Sequence, residues 1–310
     1  MIALSIIVPI FNESAIVAEL NRQIVAVAQQ LVGEAYEIIY VNDGSKDDSL
    51  AKVRSLAQAN AQVKYLSFTR NFGHQIAVSA GLDLTQGKAV VIIDGDLQDP
   101  PPVIAELYQK YLEGFKIVYA QRRSRAGETW FKKLTAKLFY RALARITSID
   151  IPLDTGDFRL IDAAVVAQLR NMPERSKFLR GQIAWTGFSQ CPVEYDRHER
   201  AGGKTGYTLS KMLRFAIDGI TSFSDAPLKL ATFLGFLVSG FSFLVILYAL
   251  FANFVLHNAV AGWTSLLIST MFIGGIQLLT IGLIGEYISR ISTDVKQRPL
   301  YIVAETNIDK

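Results

Sequence analysis

The chain has 310 residues, 32 Lys+Arg against 28 Asp+Glu for a formal net charge of +4, and a hydrophobic fraction of 50%. A mean hydropathy of +0.26 is high for a soluble chain, and the excess is concentrated near the end. A single cysteine, Cys191, excludes an intramolecular disulfide and fits a reducing compartment.

Met1–Pro9 lacks a basic leader and runs straight into a strand, so no signal peptide is expected. Through Ala120 the chain alternates strand and helix. Leu4–Pro9, Tyr36–Val41, Val63–Phe68, Val90–Ile93 and Ile117–Ala120 read as strands. Helical patterns fall between them at Glu13–Leu31, Lys46–Asn60, His74–Leu84 and Pro101–Glu113. This alternation predicts right-handed crossovers and an α/β fold with a doubly wound, mostly parallel sheet. Such a sheet binds ligands at the carboxyl ends of its strands, so the residues after each strand carry the functional information.

Those residues are polar at four consecutive strand ends. Pro9, Phe11, Asn12 and Glu13 follow the first strand; Asn42, Asp43, Gly44 and Ser45 the second; Arg70, Asn71, Phe72 and Gly73 the third. After the fourth come Asp94 and Asp96, then Gln98 and Asp99. Turn-forming residues alone would look similar, but four polar ends in a row favour a nucleotide site. Two carboxylates spaced i, i+2 on one turn cannot neutralise each other. They can hold a hard cation such as Mg²⁺ or Mn²⁺, which takes its other ligands from water and substrate phosphates. No G-x-G-x-x-G occurs, which argues against a dinucleotide site. Gly203-Lys204-Thr205 imitates the end of a P-loop, but His198 stands where its first glycine should be.

Beyond the sheet the chain turns basic and then apolar. Arg122–Arg145 holds eight Lys/Arg against the single acid Glu128, interleaved with Trp130, Phe131, Leu134, Leu138 and Phe139. Tyr207–Ser224 repeats the amphipathic pattern with Met212, Phe215, Ile217 and Ile220. Both favour an anionic membrane surface. Leu230–Leu256 and Trp263–Gly285 contain no charge and are long enough to cross about 30 Å of hydrocarbon as helices. Lys211, Arg214 and Lys229 precede the pair, Arg290, Lys296 and Arg298 follow it, and His257–Gly262 between them has no Lys or Arg. The expectation is a C-terminal two-helix transmembrane hairpin with both termini and the catalytic domain in the cytoplasm. The domains then divide as 1–206 catalytic, 207–229 interfacial, 230–289 membrane and 290–310 tail. Small residues in the second span, Gly274-Gly275, Gly282 and Gly285, allow close helix packing and suggest a homo-oligomer. No nucleic-acid partner is expected.

Taken together, IIVPIFNE (Ile6–Glu13), VNDGSKDDS (Val41–Ser49), TRNFGH (Thr69–His74), DGDLQDPP (Asp94–Pro101), TGDFRLID (Thr155–Asp162), the Lys204 loop and the membrane pair resemble the family 2 glycosyltransferases that load a sugar onto a polyprenyl phosphate. Dolichol-phosphate mannose synthase and the bactoprenol glucosyltransferases of O-antigen modification are the relatives meant. The resemblance implies a GT-A-type catalytic domain at the inner membrane and an inverting transfer of a hexose to undecaprenyl phosphate, with UDP-glucose the leading donor. By that resemblance Pro9, Phe11, Glu13 and Asp43 hold the nucleobase and ribose, and Gly95 lets the backbone approach the ribose. Asp94, Asp96 and Gln98 hold the metal, while Arg122 and Lys204 neutralise the diphosphate. Asp157 and Arg159 belong to the catalytic group: Asp157 either acts as base or orients Arg159 to clamp the acceptor phosphate. His74 stands where the bacterial relatives carry lysine, so no role is assigned to it. Two alternatives are a processive polysaccharide synthase, whose Q-x-x-R-W motif Gln182–Trp185 lacks, and a membrane-anchored nucleotide-sugar sensor.

Overall fold

The computed structural model describes residues 1–123, 155–197, 226–254 and 262–308. Strands β1 (Leu4–Ile10), β2 (Tyr36–Asn42), β3 (Val63–Phe68) and β4 (Ala89–Ile92) alternate with helices α1 (Val17–Val32), α2 (Ser49–Ala59) and α3 (His74–Leu84). Helix α4 (Val103–Leu112) and strand β5 (Ile117–Arg122) follow, then β6 (Thr155–Asp162), α5 (Ala163–Arg170), α6 (Leu179–Trp185) and β7 (Gln190–Tyr195). Two long helices, α7 (Ala226–Phe254) and α8 (Trp263–Val295), lead to a last strand, β8 (Val303–Thr306).

Among the described residues eight strands form one sheet in the order β7-β5-β6-β4-β1-β2-β3-β8. The central four are parallel, β6 runs antiparallel between β4 and β5, and β8 pairs antiparallel with β3. Every residue of β1, β2 and β4 is buried, as helix-covered parallel strands require. Side chains alternate between two cores. Leu4, Ile6 and Val8 pack with Leu20 of α1 and Leu107 of α4. Ile7, Ile39 and Val41 face the other way onto Val78 of α3, Val165 of α5 and Ile183 of α6. The parallel pairing puts the carboxyl ends of β1 to β4 on one edge of the sheet, and the antiparallel β6 brings its amino end there from the opposite direction.

The C-terminal helices expose large apolar side chains, including Phe233, Phe236, Phe241 and Phe243 of α7 and Phe272 and Leu278 of α8. A surface of this kind needs lipid or another protein against it. Among the described residues, Phe272–Val295 is the one helix long and apolar enough to cross a membrane by length and composition, with mean hydropathy 1.4 and none of it buried. Helix α8 continues past the uncharged run through Glu286, Arg290 and Asp294. The 290–310 tail carries a strand that the sequence reading did not name, and β8 joins the sheet edge. Lys204, the Tyr207–Ser224 stretch, His257 and the basic segment beyond Arg123 lie outside the described residues.

Candidate active site

The loops after β1, β2 and β3 are tied into one block. Asn12 N–H donates to Ser45 Oγ (2.9 Å), Lys46 N–H to Asn12 Oδ1 (2.8 Å) and Glu13 N–H to Ser49 Oγ (2.9 Å). Asp43 is buried, and its two oxygens accept the N–H groups of Phe72 (2.7 Å) and Gly73 (3.0 Å). Burial raises its pKa, with the two amides pulling the other way. The carboxylate expected to read the nucleotide therefore also braces the β3 loop, and only its remaining lone pairs face a ligand. Gly44 sits at φ +69°, and a Cβ there would lie 2.4 Å from the Arg70 carbonyl carbon, so the loops close only over glycine. Phe11 is 42% exposed at the rim.

The β4 end presents the aspartate pair. Gly95 lies against β1: a Cβ there would come within 2.8 Å of Pro9 O. Gln98 N–H donates to Asp96 Oδ1 at 3.1 Å. Asp94 Oδ1 is buried with no hydrogen-bond partner among the described residues. Burial, reinforced by Asp157, Asp99 and Asp96 and partly offset by His74, raises the Asp94 pKa to about 6. An orphaned carboxylate oxygen beside further acids is a donor set suited to a divalent cation. No group of three or more His, Cys, Asp or Glu among the described residues is placed to hold a metal alone. Such an ion would depend on Asp94 and Asp96 plus water and phosphate oxygens, as Mg²⁺ and Mn²⁺ commonly do.

Strand β6 brings Asp157 to the same place from the opposite direction. His74 Nε2 lies 3.0 Å from Asp157 Oδ2 and 3.5 Å from Asp94 Oδ1, bridging the two carboxylates. Gln75 Nε2 donates to Asp157 Oδ2 (3.1 Å) and Arg180 Nε to Asp157 Oδ1 (2.7 Å). Burial disfavours the His74 charge, but Asp94 and Asp157 outweigh it and raise its pKa to about 9. Burial likewise opposes the Asp157 charge, yet Arg180 and His74 hold that carboxyl well below the usual range. A carboxylate so held takes up a proton poorly. Its partner is Arg180 of α6 rather than the expected Arg159. Arg159 is buried, donates Nη2–H to Gly156 O (2.8 Å), and has its pKa lowered by burial to about 10. Arg159 and Arg180 line a shallow cleft together with Tyr119, Thr155, Ile183 and Gln190.

The structure thus gathers Pro9, Phe11, Glu13 and Asp43 on one side of the edge and Asp94, Gly95, Asp96 and Gln98 at its centre. Asp157 and Arg159 stand opposite, with Arg122 at the end of β5, where a Cβ on Gly156 would lie 3.3 Å from its Nη2. Sequence reasoning assigned no role to His74 and missed Gln75 and Arg180. It also missed Arg197, 3.8 Å from Asp96 and 3.2 Å from Asp99. A helix N-terminus carrying His-Gln directly after a glycine was the available signal for the first two; the arginines gave none.

A mostly parallel α/β sheet with paired aspartates at its carboxyl edge and an antiparallel strand beside them fits a GT-A-like architecture. The chain belongs to glycosyl transferase family 2, whose family model matches residues 5–170. It is 48% identical over 302 residues to the uncharacterized glycosyltransferase YkcC of Bacillus subtilis (strain 168), covering 97% of this chain and 93% of that one. It is 40% identical over 304 residues to the SfII prophage-derived bactoprenol glucosyl transferase of Shigella flexneri, covering 98% of each. Glucosyl-3-phosphoglycerate synthase from Mycobacterium tuberculosis, solved with Mn²⁺ and UDP-glucose, is 19% identical with a TM-score of 0.48 over 71% of this chain and 77% of that one.

Proposed function

We propose that this glycosyltransferase moves glucose from UDP-glucose to undecaprenyl phosphate at the cytoplasmic face of the membrane, with inversion, for cell-envelope glycan modification. The observation that carries the reading is the meeting of Asp94 and Asp96 with the Asp157–His74–Arg180 group at one sheet edge. Bactoprenol glucosyl transferases that match nearly the whole chain support the choice of lipid and sugar.

An acceptor phosphate oxygen attacks the anomeric carbon from the face opposite the diphosphate. The new C–O bond forms as the bond to the diphosphate oxygen breaks, and that oxygen keeps the electron pair. Asp94 and Asp96, with Gln98 beside them, would hold Mg²⁺ or Mn²⁺, which would supply charge stabilisation for the leaving diphosphate. Arg122 and Arg197 add fixed positive charge on that side, a role the family resemblance also gives to Lys204. A phosphate monoester has its second pKa near about 6 and is mostly a dianion at pH 7, so the acceptor needs little deprotonation. Asp157 accordingly acts as the anchor that fixes His74 and Arg180, and Arg180 and Arg159 present cationic edges to the acceptor phosphate.

The acceptor cannot leave the bilayer, which is why the enzyme needs a membrane anchor. Helices α7 and α8 form a two-pass hairpin. The basic residues flanking its uncharged runs, Lys211, Arg214 and Lys229 before and Arg290, Lys296 and Arg298 after, orient both ends and residues 1–206 toward the cytoplasm. The chain assembles as a homo-oligomer. Asp96→Ala tests the site: transfer and metal-dependent nucleotide binding are lost while the fold persists. Retained transfer would remove the metal assignment.

A further inference from the structure

Residues that follow the membrane helix reach back to the loop that organises the nucleotide side of the site. The Tyr301 ring stacks on Phe68 with centroids 4.8 Å apart and planes at 25°. Phe68 in turn meets Phe72 edge-on at 5.6 Å. The Arg70 guanidinium lies 4.0 Å over the other partner of that pair, Phe72. Thr69 N–H donates to Ile302 O at 3.0 Å, extending the β3–β8 pairing by one rung into the loop. Phe72 and Gly73 then give their amides to Asp43, and the next residue, His74, touches Asp94 and Asp157. The Thr69–Gly73 loop has no regular structure of its own. It is pinned at Asp43 on one side and at the Phe68–Tyr301 stack on the other.

The remaining tail contacts are of another kind. Arg54 pairs with Glu305 through two hydrogen bonds at the exposed far end of β8. Asn307 caps the edge by accepting from Tyr65 N–H (2.7 Å). Upstream, Arg175 N–H donates to Asp294 Oδ1 (2.9 Å) and the Arg175 guanidinium to Arg298 O. These hold the tail to the domain, whereas Ile302 bonds the loop at Thr69 and Tyr301 reaches it through Phe68. We propose that Tyr301 is a positioning residue for the donor nucleotide, acting through Phe68 and Phe72 on the Asp43 loop. The membrane-anchored end of the chain thereby completes the binding site of the catalytic domain. This rests on reading the β1–β3 edge as the nucleotide side.

The test compares full-length wild type, Tyr301→Ala, Tyr301→Phe and Glu305→Ala in detergent. Hydrogen exchange at Thr69–Gly73 is measured alongside UDP-glucose affinity and steady-state kinetics. Aromatic stacks of this kind set the scale, so Tyr301→Ala raises donor Kd and KM about 3- to 10-fold and leaves kcat within about 2-fold. The Phe72 and Gly73 amides exchange faster in that variant. Tyr301→Phe, which keeps the ring, and Glu305→Ala, which severs only the outer pair, behave as wild type. Should Tyr301→Ala fold poorly, Tyr301→Leu keeps apolar bulk without the stack and shows the same split. Unchanged exchange and affinity in Tyr301→Ala, or an equal defect in Glu305→Ala, would overturn the proposal. Wild-type protein that binds no nucleotide sugar would instead remove the donor-site reading, and the exchange data would then decide the coupling alone.

Discussion

Replacing Arg180 by alanine strips the Asp157 carboxylate of its closest cation. The pair is 2.7 Å apart, with side chains 21% and 13% exposed. Breaking a fully buried pair from one side costs about 3–5 kcal/mol, whereas a surface pair is worth about 0.2–1 kcal/mol. Asp157 keeps His74 at 3.0 Å and Gln75 at 3.1 Å, so the loss falls between these limits, at about 2 kcal/mol. Alanine is the better helix former at this α6 position, so local propensity does not confound the result. For a domain of about 150–250 residues, 2 kcal/mol lowers the melting temperature by about 4–8 °C. Thermal unfolding in detergent at pH 7 reads it directly. The double variant Asp157→Asn/Arg180→Met removes both charges and should recover at least half of the loss. A shift under about 1 °C for Arg180→Ala, or a double variant no better than the single one, would refute the claim that this pair organises the acceptor side.

Two further predictions concern loop geometry and charge. Gly44→Ala forces a left-handed residue and a 2.4 Å approach to the Arg70 carbonyl carbon; it should destabilise by about 2 kcal/mol or more and weaken nucleotide binding, as measured by denaturation and by titration with UDP. The folded His74 pKa, about 9, lies above its ordinary 6.5. Its contribution to stability is therefore complete below about pH 6.5 and disappears as pH rises through about 9. Melting curves from pH 6 to 9.5 should show this decline in wild type and a flatter profile in His74→Gln; parallel profiles would contradict the bridging role.

The first four strands and their helices were legible because β-branched runs alternate with amphipathic stretches, and the aspartate pair stood out by its place after Ile93. Thr155–Asp162 was visible as a motif but was not read as a strand: Asp157 and Arg159 alternate with Phe158 and Leu160, but the run is short and lies beyond the regular strand–helix alternation. Strand β8 is four residues long and gains its structure from the open β3 edge, a tertiary cause that leaves no local pattern. The same applies to Arg180, whose significance depends on α6 packing against β6. Asp43 was read as a ligand for the nucleotide; its two backbone amides come from a loop 29 and 30 residues away, which no spacing rule announces.

The central claim is the transfer itself. Full-length protein in detergent with undecaprenyl phosphate, Mg²⁺ or Mn²⁺ and a panel of radiolabelled UDP- and GDP-sugars should move label from UDP-glucose into the lipid phase, and Asp96→Ala should not. Metal-dependent nucleotide binding without lipid labelling from any donor would contradict the account and favour a sensor that binds without turnover.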